Sequence, residues 1–176
     1  MNPRRRAAGQ LVPAAMMTAL TAVCAQLQIP LPAVPISLAL FAVHLCGALL
    51  EPRYAALAML AYALLGACGV PVYAGFVAGP SVLLGPTGGY ILGYALSAPV
   101  TGLLLRRTGF TLRGLCAAMA AGTAVCYAFG AAWFMAVTGS GALASLSLCV
   151  LPFLPGDAAK IALAAALSLR LKKALR

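Results

Sequence analysis

Acid is the scarcest component of this chain: of 176 residues only two carry a carboxylate side chain, Glu51 and Asp157. There is one histidine, His44, and one tryptophan, Trp133, and no polar stretch long enough to form a water-facing domain. No Lys-Ser or Lys-Thr follows a glycine-rich turn at the required spacing, so GPTGGY at 85–90 is not a phosphate-binding loop but a turn entering a helix. No Ser, His and Asp set and no pair of acids is arranged for proton transfer, and the chain is read as not being an enzyme. Cysteines fall at 24, 46, 68, 116, 126 and 149 with no C-x-x-C pair, which argues against a disulfide framework or a metal site. They read as small apolar packing residues. His44 has no second histidine or acid nearby in sequence and reads as a packed, hydrogen-bonded side chain.

What the chain has instead is apolar material. Hydrophobic residues make up 64% of it and charged residues 8%, and the mean hydropathy is +1.03. A soluble core with a polar coat cannot be made from that composition. The reading is an all-α integral membrane protein, and at roughly 20 apolar residues per span there is room for about six. The net charge of +10 comes in short basic clusters between apolar runs, the pattern of loops kept on one side of a membrane rather than of a nucleic-acid surface. MNPRRR before an apolar run resembles the start of a signal peptide, but no cleavage site follows and the run is read as a retained first span.

In order, the expected helices are Leu11–Leu27, Ser37–Leu50, Tyr54–Cys68, Tyr90–Leu105, Gly114–Val137 and a sixth running from Asp157 into the basic tail. Pro30, Pro32 and Pro35 end the first, since proline cannot continue a helix interior. The segment 70–89, apolar but full of Gly and Pro, is expected to be an ordered, partly helical excursion, and 142–151 is apolar yet too short to span. With the N-terminus inside, Arg4, Arg5, Arg6, Arg53, Arg106, Arg107, Arg113, Arg170, Lys172, Lys173 and Arg176 all fall on the cytoplasmic side. The positive-inside rule thus supports six spans with both termini cytoplasmic, residues 1–9 and 170–176 forming basic ends of a single domain 1–176.

Lys160 is the one cation on the opposite side, three residues from Asp157 in PFLPGDAAK at 152–160. Two readings fit that spacing. In one, Asp157 caps the free N–H groups at a helix start and Lys160 adds a local ion pair. In the other, ionisable groups inside a membrane protein, costly unless paired or hydrated, mark a functional site. Three outer loops, 28–36, 70–89 and 138–157, lie on that side and are expected to fold over the helix ends and cap a ligand pocket. Its wall would come from Tyr73, Phe76, Tyr90, Tyr94 and Trp133, and its polar groups from Asp157, Lys160, Thr87, Ser37 and glycine amides.

VPIS at 34–37, GALLEPRYAALAMLAYALLGACGVPVYAG at 47–75, LLGPTGGYILGY at 83–94 and PFLPGDAAK at 152–160 resemble the BioY family, the biotin-specific S components of energy-coupling factor (ECF) transporters. The similarity covers about residues 13–172. It departs at Ser37, where the family often has threonine, and in the segment 74–84. The resemblance implies biotin capture on the outer face, no cofactor, and partnership with a transmembrane coupling subunit and ATP-binding subunits in a bacterial or archaeal cell membrane. Asp157 and Lys160 match the family's biotin-contacting pair, and Tyr90, Thr87, Gly88, Gly89, Tyr73, Phe76 and Ser37 are the other expected contacts, the glycines permitting close approach. Ala15 and Ala19 on the first helix match a small-residue face that docks the coupling subunit, and alanines four apart do let helices approach closely. The other function class weighed is an ion- or proton-coupled solitary transporter using Asp157 as its titrating group.

Overall fold

Prolines and glycines decide where the helices stop. A computed structural model describes residues 3–31 and 34–174, with side chains from residue 9 onward. The side chains of Arg4, Arg5 and Arg6, together with Pro32 and Arg176, lie outside the described residues. The first helix, α1 (Pro3–Gln26), starts earlier than the apolar pattern alone suggests and carries Pro13 within it. A short antiparallel ribbon follows, β1 (Gln28–Ile29) against β2 (Ile36–Ser37), with Gln28 opposite Ser37. Helix α2 (Ala39–Leu49) ends where Leu50 turns extended before Glu51-Pro52, and Pro52 then opens α3 (Pro52–Ala67) at a position where its missing N–H costs nothing.

The excursion at 70–89 is ordered, as expected: an isolated bridge pairs Tyr73 with Val77, and one short helix, α4 (Pro80–Leu84), precedes α5 (Gly88–Thr108). Gly109, with φ of 79°, turns the chain, and the Thr111 side chain accepts from the Gly114 N–H at 3.1 Å to cap α6 (Leu112–Thr138). The apolar stretch after Gly141 forms α7 (Ala142–Cys149), which meets α8 (Leu154–Ala174) at a bend of 52°.

The six principal helices expected are therefore present as α1, α2, α3, α5, α6 and α8, with α4 and α7 as short additions. By length and composition α5 and α6 can each cross a membrane, and the bent α7–α8 pair makes a third such path. Helix α2 has only 11 residues, about 16 Å of rise, against a hydrocarbon layer of roughly 30 Å. Helix α5 is the centre of the bundle. It packs most extensively on α6 and also on α3 and α2, and the hydrophobic core formed by Val43, Met59, Tyr90, Ala98, Cys126 and Phe153 runs along it. All six cysteines are free, and Cys24, Cys46, Cys126 and Cys149 are buried among apolar neighbours. His44 is fully buried, with Nε2 3.1 Å from the Thr123 hydroxyl.

Candidate ligand-binding site

The start of α8 places the acid and the base. Its first turn contains Pro155, so the helix begins at Leu154 rather than at Asp157, and the Asp157 N–H already donates to the Phe153 carbonyl at 2.8 Å. Asp157 is therefore not an N-cap, contrary to the capping reading, and its side chain meets one partner on its own helix and one on α6. Lys160, one helical turn on, donates to Asp157 Oδ1 at 2.7 Å. Tyr127, from the middle of α6, donates to Oδ2. The acid is 4% exposed and the base 8%. Burying such a pair is expensive unless the geometry is good and the remaining polar positions are used, and here both oxygens are engaged.

These three side chains line a small hollow of about 40 Å³ together with Val34, Pro35, Ile36, Ser37, Leu40, Tyr90, Tyr94, Cys126 and Phe153. A second, mostly apolar hollow of about 180 Å³ adjoins it, bounded by Tyr62, Tyr73, Val82, Thr87 and Ile91. Val34, Pro35, Ser37, Tyr90 and Tyr94 line both, so the two hollows share one wall. The ribbon supplies part of that wall, and α5 supplies the tyrosines.

Local contacts explain why the aromatics face inward. The Tyr90 hydroxyl donates to the Cys149 carbonyl at 2.9 Å, tying α5 to the end of α7. Phe153 in the α7–α8 turn meets the Tyr90 ring edge-on at 6.3 Å and leans on the Tyr127 ring at 6.5 Å. The Tyr90 ring lies flat against α6 because residue 130 is glycine; a Cβ there would sit 2.5 Å from Tyr90 Cε1. Tyr62 and Tyr73 stack edge-to-face at 5.7 Å, and their hydroxyls donate to the carbonyls of Val72 and Ala63, leaving their rings toward the apolar hollow. Gln26 pins the loop that carries Tyr73. Its amide donates to the carbonyls of Val72 and Tyr73 at 3.1 Å each, and its oxygen accepts from the Phe76 N–H at 2.8 Å.

Of the residues singled out from sequence, the structure gathers Asp157, Lys160, Ser37, Tyr90 and Tyr94 at the first hollow and Tyr73 and Thr87 at the second. It does not bring Phe76 there: that side chain is 71% exposed, on a backbone with φ of 58°, and lines neither hollow. Gly88 and Gly89 are buried, but they pack against the Leu83 backbone and the Trp133 side chain and line neither hollow. Trp133 turns its N–H to the Gly85 carbonyl at 3.1 Å and stacks on Phe129 instead of entering the site. Ala15 and Ala19 are exposed on α1, whereas Thr18 on another face of the same helix is buried and donates to the Ala58 carbonyl of α3 at 2.9 Å. Sequence reasoning missed Tyr127, Phe153, Tyr62 and Gln26. The signal for Tyr127 was there: it shares a helical face with Thr123, Gly130 and Phe134, and a phenol within a span requires a partner.

The BioY family model matches residues 1–176. The chain belongs to the BioY family. It is 40% identical over 164 residues to the biotin transporter BioY of Thermotoga maritima, covering 93% of this chain and 96% of that protein. It is 37% identical over 158 residues to the probable biotin transporter BioY of Pyrococcus horikoshii, covering 90% and 93%. Among solved structures, the S-component for biotin from an ECF-type ABC transporter superposes with a TM-score of 0.88 at 28% identity, covering 98% of this chain and 95% of that one. These BioY proteins are named as transporters, and a multi-pass membrane protein is what the apolar helices of this family member describe.

Proposed function

We propose that this chain captures biotin and serves its uptake as the substrate-binding S component of an ECF-type transporter, with no chemistry performed on the vitamin. The observation that carries the reading is the buried Asp157–Lys160 pair, 2.7 Å apart, in the wall of a hollow lined by aromatic side chains in a BioY family member. A ureido ring offers two N–H donors suited to a carboxylate and one carbonyl suited to an ammonium. Lys160 spends one N–H on Asp157 and retains two more for the ligand. The thiophane ring and valeryl chain would bury against Tyr90, Tyr94, Tyr62 and Tyr73, crossing from the first hollow toward the second by moving the wall they share. Thr87 and Ser37 contribute hydroxyls to that path.

In this reading residues 1–176 form one binding domain with both termini cytoplasmic, and the site opens outward. A transmembrane coupling subunit would dock on α1, where Ala15 and Ala19 are exposed, and ATP-binding subunits would supply the energy. An acid already committed to a lysine and a phenol is poorly placed to shuttle protons, which weighs against an ion-coupled solitary transporter.

The test is biotin binding by the detergent-purified chain. Asp157→Asn should weaken binding by at least roughly a hundredfold, since it removes charge-assisted bonds at the buried end of the site. Because that change strands Lys160, a matched Asp157→Asn/Lys160→Met chain, with thermal unfolding followed, separates lost recognition from lost fold. Wild-type affinity in a folded Asp157→Asn variant would defeat the proposal.

A further inference from the structure

Helices α5 and α8 each run from the hollow of Asp157 to a second opening. Tyr90 and Lys160 line the first, and Arg106 and Lys172, farther along the same two helices, line the second, so roughly 18 Å or more of helical rise separates them. This second opening is a cleft of about 440 Å³, bordered also by Gln10, Glu51 and Phe110. Its cations lack an acid. Glu51 meets Arg53 at 3.2 Å, Asp157 is the only other acidic side chain and is held at the first hollow, and among the described residues no carboxylate is within salt-bridge reach of Arg106 or Lys172. Lys172 instead rests its ammonium 3.6 Å from the centre of the Phe110 ring, a contact that leaves its N–H donors without an acceptor atom. Lys173 joins Phe110 and Lys172 in an adjoining hollow of about 230 Å³. The Gln10 amide oxygen is buried with no hydrogen-bond partner among the described residues. A half-turn of that amide leaves its shape unchanged and puts an N–H donor in the same place.

We propose that this cleft binds the phosphate headgroup of an anionic phospholipid, with Arg106 and Lys172 as its counter-charges and Gln10 as an uncharged donor. A phosphodiester spreads its negative charge over two free oxygens, and a guanidinium fork and an ammonium both donate to such oxygens. The surroundings favour a lipid over a dissolved phosphate. Leu50 and Leu105 line the cleft beside the cations, and Leu103 and Leu112, on α5 and α6 at the same end of the bundle, are 54% and 52% exposed, apolar surface for acyl chains to cover. A zwitterionic headgroup fits less well, because it brings a cation of its own to a cleft that is already positive. In the proposed orientation the cleft faces the cytoplasmic leaflet, where basic pockets between helices take anionic headgroups.

The experiment uses the full chain, delipidated in a neutral detergent, and native mass spectrometry with added dioleoyl phosphatidylglycerol or dioleoyl phosphatidylcholine. Wild type should hold phosphatidylglycerol at least roughly tenfold more tightly than phosphatidylcholine. Arg106→Gln/Lys172→Gln should shrink that preference to within about threefold. Arg107→Gln/Arg113→Gln, with the same loss of charge at the same end but no part in the cleft, should keep it. Biotin binding, at the far end of α8, should change by less than about twofold in both and so reports the fold. Should the first pair not fold, Arg106→Gln and Lys172→Gln singly should each lose part of the preference. Equal losses in the two double variants would reduce the effect to general surface charge and overturn the proposal, as would a wild type that does not distinguish the two lipids. Displacement of the lipid by an equal concentration of glycerol phosphate would give the cations to a soluble anion and overturn the lipid assignment. Unchanged lipid retention in Arg106→Gln/Lys172→Gln together with lost capture of a coupling subunit would give the cleft to a protein partner and overturn it as well.

Discussion

Tyr90 does three jobs with one side chain. Its ring forms part of the wall between the two hollows, its edge-on contact seats Phe153, and its hydroxyl fastens α5 to the end of α7. Tyr90→Phe keeps the first two and deletes the third. It should lower stability by about 1 kcal/mol, the net worth of a buried hydrogen bond with its partner carbonyl left unsatisfied, read as a drop in unfolding temperature, and weaken biotin severalfold because the α7–α8 turn carrying Phe153 loosens. The Cβ of Gly130→Ala would push into the same ring. That variant should weaken biotin more than Tyr90→Phe does, since it displaces the wall itself; equal or better binding would mean the ring is not part of the site. Phe76 was expected in the pocket on composition, as an aromatic in an apolar loop. Nothing in sequence announces that the Gln26 side chain, fifty residues away, captures its backbone N–H in a left-handed conformation and turns the ring outward.

At the scale of elements, the loop 70–79 and the ribbon are the parts least supported by regular structure, and Gln26 is the clasp between α1 and the first of them. Gln26→Ala should leave α3 and α5 as protected as before while amide exchange over 72–77 quickens, on the order of tenfold or more for the loss of several bonds at once. Unchanged exchange there would show that the loop is held by its own packing. The helices themselves were legible because glycine, proline and the basic clusters punctuate them: Glu51-Pro52, Gly109 and Gly139 each end or begin one. What was not legible is the α7–α8 elbow. Pro155 reads as a breaker, yet in the first helical turn it is tolerated, so α8 begins before Asp157 and the acid points sideways to Tyr127 instead of capping. The ribbon was equally hidden, since two residues per strand leave no alternation to detect.

For the whole molecule, the separation of charge is the property most readable in the sequence. Gln10 of α1, Glu51 of the α2–α3 turn, Arg106 and Lys172 near the ends of α5 and α8, and Phe110 of the α5–α6 turn line one cleft, with Lys172 Nζ 3.6 Å above the Phe110 ring. None of the other described cations shares the hollow of Asp157 and Lys160. Single cysteines placed at Arg53 or Lys173 in a cysteine-free background should react with a membrane-impermeant thiol reagent only from the cytoplasmic side, and one at Phe76 only from outside. Labelling of all three from one side would refute the proposed orientation. Far-apart contacts such as Tyr127 to Asp157 belong to this scale too, and they were beyond the sequence because helix register fixes a face, not the partner opposite it.

The neutrality of the Asp157–Lys160 couple has an electrical consequence. A site whose own charges cancel leaves an ionised carboxylate guest at net minus one, and a cell interior is negative. Carrying one such charge inward opposes the field by about 2.3 kcal/mol for every 100 mV. In the proposed reading, voltage would work against such a guest, and the work of carrying it inward would have to come from elsewhere.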